Sequence, residues 1–169
     1  MIRNLVVLFV HPRFIAFLNF LLVFNLIHAL LEGILAPLGN FHEVVEIIDG
    51  LGIIMIAWGV ALEERHKILE IFHLIPKELS EINYQNAVNE NCTRFGLGFL
   101  LLGLFAEVGA QCVNVPDRII NTSGLESTIL LLSGILLVVC GVLMLIQSIM
   151  LVFLKREWLI RRYNTTSQH

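Results

Sequence analysis

The sequence is short of charged residues, and this shortage excludes an ordinary soluble domain. Only 15% of its 169 residues are charged, whereas soluble domains carry about 25%. Apolar residues make up 57% of the chain, and the mean hydropathy is +0.82. A chain of this composition is solvated mainly by lipid or by its own helices, so we expect residues 1–169 to form a single membrane domain.

The sequence also lacks the patterns of disulfide-rich, catalytic and nucleic-acid-binding proteins. Its cysteines, Cys92, Cys112 and Cys140, are far apart and show no CxxC or Cys/His spacing, which argues against a disulfide framework or a structural zinc site. Walker, GxSxG, HExxH and GxGxxG motifs are absent, which favours a non-catalytic protein. A net charge of −3 without a basic, aromatic-rich stripe argues against nucleic acid as a partner.

Four stretches of the sequence are long and apolar enough to cross a bilayer, which needs about 20 mostly apolar residues per helix. They cover about residues 14–38, 44–62, 96–115 and 127–154. The apolar runs are too long for strands and do not alternate. The sequence therefore predicts an all-α fold, an integral membrane bundle of four transmembrane helices, with a cytoplasmic loop over residues 63–95 and a basic tail over residues 155–169.

Lysine and arginine are confined almost entirely to alternate loops. The N-terminal segment, the loop over residues 63–95 and the tail carry them, whereas the third loop has only Arg118 and the first loop has none. Positive residues accumulate on the cytoplasmic side of a membrane. Both termini are therefore predicted to be cytoplasmic.

The loop over residues 63–95 contains two helical patterns. The stretch "EERHKILEIFHLI" predicts a helix that continues out of the second span and is broken by Pro76. The stretch "KELSEINYQNAV" predicts a second, short amphipathic helix. This segment is too small for a catalytic domain, and a docking surface is the more natural interpretation.

Small residues recur at intervals of seven in three of the spans. They are Gly52 and Gly59, then Gly96, Gly103 and Ala110, then Gly134, Gly141 and Ser148, with Ser133, Cys140 and Gln147 beside the last three. Such spacing keeps one seam facing a neighbouring helix, and small side chains allow helices in lipid to approach closely. The pattern predicts helix packing within the bundle or against a partner.

Polar residues interrupt three of the spans in the half of the bilayer that is predicted to be outer. They are Asn25, His28 and Glu32 in the first span, His42, Glu46 and Asp49 in the second, and Glu107 and Gln111 in the third. A charge at the centre of a transmembrane helix costs roughly 2.5–3.5 kcal/mol. We therefore expect these residues to face inward, meet water, pair or stay protonated.

Three roles remain open for these polar residues. They are hydrogen-bonding groups between helices, a proton or cation path, or a weak metal or haem site, for which the candidate ligands are His28, Glu32, His42, Glu46 and Glu107. No cofactor is predicted.

Two functions follow from these features. The first is a small non-catalytic subunit packed in a larger membrane-protein complex, such as an energy-transducing complex or a membrane enzyme. The alternative is a homo-oligomeric proton or cation channel or transporter subunit that uses the outer-half carboxylates. The expected partners are the lipid bilayer and other membrane subunits or further copies of this chain.

Overall fold

The computed structural model describes residues 7, 10–35, 41–74, 79–115 and 124–153, and these ranges contain helices and no strand. The helices are α1 Pro12–Leu35, α2 Phe41–Glu63, α3 Arg65–Ile71, α4 Leu79–Asn114 and α5 Glu126–Phe153. All except α3 are long and apolar enough to cross a membrane. The all-α fold with four such helices is confirmed. Arg118 and the basic tail lie outside the described residues, and the cytoplasmic location of the termini stays a prediction.

Helix α1 begins at a proline that suits its first turn. The carbonyl oxygen of His11 accepts hydrogen bonds from the backbone N–H groups of Phe14 and Ile15, and the ring Nδ1 of His11 accepts one from the N–H of Arg13 at 3.2 Å. Pro12 occupies the first helical position, where its missing N–H costs nothing. The break that His11 and Pro12 make in the apolar N-terminal sequence is thus the start of the first span.

Helix α3 continues α2 after one turn residue, as the sequence predicts. The N–H of Glu64 binds the carbonyl of Val60, and the N–H of Ile68 binds that of Glu64. Helix α3 ends at Ile71, where His73 adopts a φ of 51° and the N–H of Leu74 reaches the carbonyl of Leu69 at 2.9 Å. This is a Schellman ending, so α3 stops before Pro76 is reached.

Helix α4 differs from the expectation of a separate short helix within a loop. Residues 79–95 are its first half, and the whole helix has 36 residues. No proline or glycine stands between Leu79 and Phe95 to stop it. At 1.5 Å per residue it measures about 54 Å, which exceeds the hydrocarbon core of about 30 Å. Helix α4 therefore carries the third span and an extension that packs against α3.

The buried residues of the spans are separated by three and four positions in alternation. On α2 they include Val45, Ile48, Gly52, Met55, Gly59 and Leu62. On α5 they are Leu130, Ser133, Leu137, Cys140, Met144, Gln147 and Leu151 on the inner side, together with Gly141. This spacing averages 3.5 residues, the period that keeps one side of a helix against its neighbour. Helix α2 lies along α4, α1 lies along α5, and α4 packs against α5.

Helices α2 and α4 touch through their backbones at four glycines, which we call the glycine contact: Gly52, Gly59, Gly96 and Gly103. A Cβ on Gly59 would stand 2.6 Å from the carbonyl oxygen of Gly96, and a Cβ on Gly103 would stand 2.8 Å from that of Gly52. Both distances are too short for any side chain. The two touching points are seven residues apart on each helix, so the helices run antiparallel and in contact over two turns.

The packing of α5 differs from the predicted seam at Gly134. No atom lies within 4 Å of the place where a Cβ on Gly134 would stand. The preceding residue, Ser133, is buried instead, and its Oγ lies beside Gly109 of α4. Gly141 does lie at a contact, since its Cβ would stand 2.6 Å from Leu26 Cδ2 of α1. The contact side of α5 is thus centred one residue before the small residues that the spacing singled out.

Alanine substitutions at Gly59 and Gly134 distinguish the effect of helix packing on stability from the effect of helix propensity. Gly59→Ala forces α2 and α4 apart, and we expect it to lower the free energy of unfolding by about 1–3 kcal/mol. Gly134→Ala is the matched control, and it should leave stability unchanged or raise it by up to about 1 kcal/mol because alanine favours a helix. Unfolding by sodium dodecyl sulfate in mild micelles measures both. Equal midpoints for Gly59→Ala and wild type would contradict the glycine contact.

Candidate functional site

The polar residues of α1 that the sequence singles out lie on its outer surface. His28 Nδ1 stands 3.6 Å from Glu32 Oε1, and the two side chains are 65% and 63% exposed. Asn25 is exposed as well, and its Nδ2 donates to the carbonyl of Leu21 at 3.0 Å. These three residues therefore bind within their own helix and do not point into the bundle.

The same arrangement occurs at the start of α2. His42 Nε2 stands 3.4 Å from Glu46 Oε1, and both side chains are at least 70% exposed. Along α2 the next acidic residue, Asp49, does reach another helix, because Gln111 Nε2 of α4 donates to its Oδ1 at 2.7 Å. Glu107 is half-buried, and its Cβ lies 3.1 Å from the position of a Cβ on Gly52.

The polar residues that the sequence predicts for one half of the bilayer thus do not form one interior cluster. Asp49 and Gln111 meet beside the glycine contact, while the His28–Glu32 and His42–Glu46 pairs are separate and exposed. Among the described residues, no three His, Cys, Asp or Glu side chains are close enough to hold a metal ion. Of the arrangements expected for the polar residues, Glu32 shows pairing and does not face inward, because the contact side of α1 is the one that carries Leu26 and Asn19.

Apart from Ser133, the buried polar residues among those described lie towards the other end of the bundle, near α3. Asn19 of α1 is fully buried, and its Nδ2 donates to Oε1 of the equally buried Gln147 of α5 at 2.8 Å. Trp58 of α2 donates from Nε1 to Asn19 Oδ1 at 2.6 Å. We call these three residues the amide layer. It joins α1, α2 and α5 at one level.

Helix α4 brings a fourth polar residue close to the amide layer. Asn91 Nδ2 lies 3.8 Å from the sulfur of Met150, which is one turn along α5 from Gln147. Asn91 Oδ1 and Gln147 Nε2 are buried without a hydrogen-bond partner among the described residues.

Arg65, the first residue of α3, is a second polar centre at this end. It is only 2% exposed. Its Nε and Nη2 donate to the carbonyl of Val10 at 3.0 and 2.9 Å, Nη2 also donates to Gln85 Oε1 at 2.8 Å, and Nη1 donates to Asn89 Oδ1. Asn89 Nδ2 in turn lies 3.1 Å from His66 Nδ1. Hydrogen bonds from the Arg65 guanidinium thereby join α3 to α4 and to Val10, which precedes α1.

The charge of Arg65 meets neutral oxygens and no carboxylate. Among the described residues no Asp or Glu side chain forms an ion pair with it, whereas nearby Lys67 pairs with Glu64 at 2.7 Å. Burial lowers the pKa of the Arg65 guanidinium, but a guanidinium keeps its proton in proteins. Arg65 is therefore a buried positive charge whose hydrogen bonds go to the carbonyl oxygens of Val10, Gln85 and Asn89.

A search for ionisable residues in the spans misses the amide layer. Asn19 carries no charge, and Gln147 is recognisable only as a neighbour of the small residues on α5. The available signal is that both are amides within predicted spans that are otherwise mostly apolar, since an amide in lipid needs a partner helix. Arg65 resembles an ordinary charge at a helix end until α4 is known to extend beside it.

The outer faces of α1 and α5 differ in chemistry. Every exposed residue of α5 from Leu131 to Val152 is aliphatic. The exposed face of α1 carries both aromatic and polar side chains, and we call it the α1 outer face: Phe17, Phe20, Phe24, Asn25, His28 and Glu32. The acyl chains of lipids can cover the whole aliphatic face of α5. They offer His28 and Asn25 on the α1 outer face no hydrogen-bonding partner from outside the chain.

Comparison with protein families, curated proteins and solved structures finds no match. The functional argument therefore depends on the geometry of the helices and their side chains.

Leucine substitutions at two asparagines of α1 test the amide layer. Asn19→Leu leaves the Trp58 N–H and the Gln147 amide without a partner, and we expect it to destabilise the bundle by about 1–2 kcal/mol, near the upper range for hydrogen bonds between membrane helices. Asn25→Leu is the matched control and should change stability by less than about 0.5 kcal/mol. Unfolding titrations in micelles measure both variants. Equal effects at the two positions would show that Asn19 is not buried between helices.

Proposed function

We propose that this protein is a small, non-catalytic subunit of a membrane-protein complex, and that it binds another membrane protein through the α1 outer face. The observation that carries the proposal is the exposure of the His28–Glu32 pair on a membrane-spanning helix. Exposed polar side chains in a span are costly unless they meet protein or water.

The depth of these residues supports a protein partner. Glu32 is the last residue of the apolar segment of α1, so its carboxylate lies close to the membrane surface. At 1.5 Å per residue His28 lies about 6 Å deeper and Asn25 about 10 Å deeper. A neighbouring helix with hydrogen-bonding side chains would satisfy both, and the three phenylalanines supply the apolar area that interfaces favour.

The weak attachment of α1 to α2 also supports a partner on this side. Helix α1 packs mainly on α5 and only slightly on α2. The face it turns away from the bundle is therefore broad, and large apolar side chains such as Phe20 and Phe24 are each 63% exposed on it.

The alternative proposal, a homo-oligomeric proton or cation channel subunit, depends on Glu32, Asp49 and Glu107 as the titrating or coordinating groups, with His28 beside them. Asp49 is hydrogen-bonded to Gln111. Asp49 and Glu107 lie beside the α2–α4 contact, while His28 and Glu32 are on α1, which has little contact with α4. A shared path would have to be completed by a second copy. The geometry of one chain thus favours the subunit proposal.

Site-specific photocrosslinking in native membranes tests the proposal. A photoreactive amino acid at Phe24 should cross-link to another membrane protein, because α1 then lies at a protein interface. The same amino acid at Val142, which is 50% exposed on α5, is the matched control and should react with lipid only. His28→Leu should lower the yield at position 24 about fivefold if the imidazole binds the partner.

Two other outcomes of the cross-linking experiment would contradict the subunit proposal. Cross-links at position 24 that join only two copies of this 19.1 kDa chain would favour the homo-oligomer. Lipid adducts at both positions would show that the α1 outer face has no protein partner.

A further inference from the structure

A cleft opens between the start of α1 and the α2–α3 corner. Its volume is about 320 Å³, and it is lined by Val10, Ile15, Trp58, Ala61, Leu62, Arg65, Ile68 and Phe72. This volume lies in the range of about 300–1,000 Å³ that small-ligand sites occupy. The cleft is lined by none of the residues of the α1 outer face and plays no part in the proposed function.

The lining of the cleft fits a hydrocarbon chain. Its surface is almost entirely apolar, and the one indole N–H in its wall already donates to Asn19. Apart from Arg65, whose guanidinium already donates to Val10, Gln85 and Asn89, the described lining offers little to a polar solute. Apolar burial stabilises a hydrocarbon chain by about 0.8 kcal/mol per methylene.

The position of the cleft fits a membrane lipid in particular. Ile15, Trp58 and Leu62 belong to the membrane-spanning segments, while Arg65 and Phe72 lie just beyond the end of the second one. The cleft thus crosses the level at which lipid chains give way to headgroups.

The charge at this level favours an anionic headgroup. Arg65 borders the cleft, and its buried charge has no carboxylate partner among the described residues. A charge in a poorly screened site acts over a longer distance than one in water. Arg13, exposed next to the first residue of α1, adds a second cation at the same end.

We propose that this cleft binds one anionic phospholipid, with an acyl chain between α1 and α2 and the phosphate at the level of Arg65. The site is separate from the α1 outer face, so a purified chain without partners should retain it.

Native mass spectrometry of the purified full chain tests the site with two probes, phosphatidylglycerol and phosphatidylcholine with identical acyl chains. Phosphatidylglycerol should bind about fivefold more tightly, the effect of roughly one basic residue near an anionic headgroup. Ala61→Phe fills the cleft and should weaken phosphatidylglycerol binding at least about tenfold.

Ala57→Phe is the matched control, because Ala57 is exposed one turn earlier on α2 and does not line the cleft. It should bind phosphatidylglycerol as wild type does. Ala61→Leu, a smaller plug, provides the same test should Ala61→Phe fail to fold. Unchanged binding by the Ala61 variants, equal loss in Ala57→Phe, or equal affinity for the two lipids would overturn the proposal.

Discussion

The close approach of α2 and α4 is the constraint on which the rest of the bundle depends. With backbones touching at Gly52/Gly103 and Gly59/Gly96, the rotation of both helices about their axes is fixed. That rotation places Trp58 towards α1 and Arg65 towards the extension of α4. Because lipid offers no hydrophobic force between helices, close packing and hydrogen bonds must hold them together. The glycines supply the packing, and the amide layer supplies the hydrogen bonds.

Helix α1 depends on those hydrogen bonds more than the other spans do. It contacts α5 along its length, but its contact with α2 is slight and includes the Asn19–Trp58 bond. A second link, from Arg65 of α3 to the carbonyl of Val10, holds the residues just before α1. Both links are near the α3 end. Once α1 is held with Asn19 and Leu26 inward, the helical period of 3.6 residues turns His28 and Glu32 outward. The cleft beside Ala61 and the exposed polar face are therefore two consequences of one helix orientation.

Much of the architecture could be predicted from the sequence, because long apolar runs identify spans without reference to their neighbours. The seven-residue spacing of glycines on the second and third spans likewise coincides with the α2–α4 contact. The inward side of α1 and α5 could not be predicted in the same way, since Gly134 and Ser133, or Glu32 and Leu26, fit a periodic seam almost equally well. That choice is made by partner residues on other helices. Charge was also a poor guide to burial here: neutral Asn19 and Gln147 are buried and hydrogen-bond each other, and the cation Arg65 is buried too, whereas His28 and Glu32 lie on the outer surface of α1.

The most direct measurement is the environment of nitroxide labels at His28→Cys and Leu26→Cys of the purified chain in liposomes, on a background in which Cys92, Cys112 and Cys140 are replaced by alanine. Leu26 is 2% exposed, so a label there should be immobilised and shielded from dissolved oxygen. A label at position 28 should be mobile and accessible to oxygen, as expected for a side chain that faces away from the bundle. A shielded label at position 28 together with an accessible one at position 26 would reverse the orientation of α1 and contradict the account.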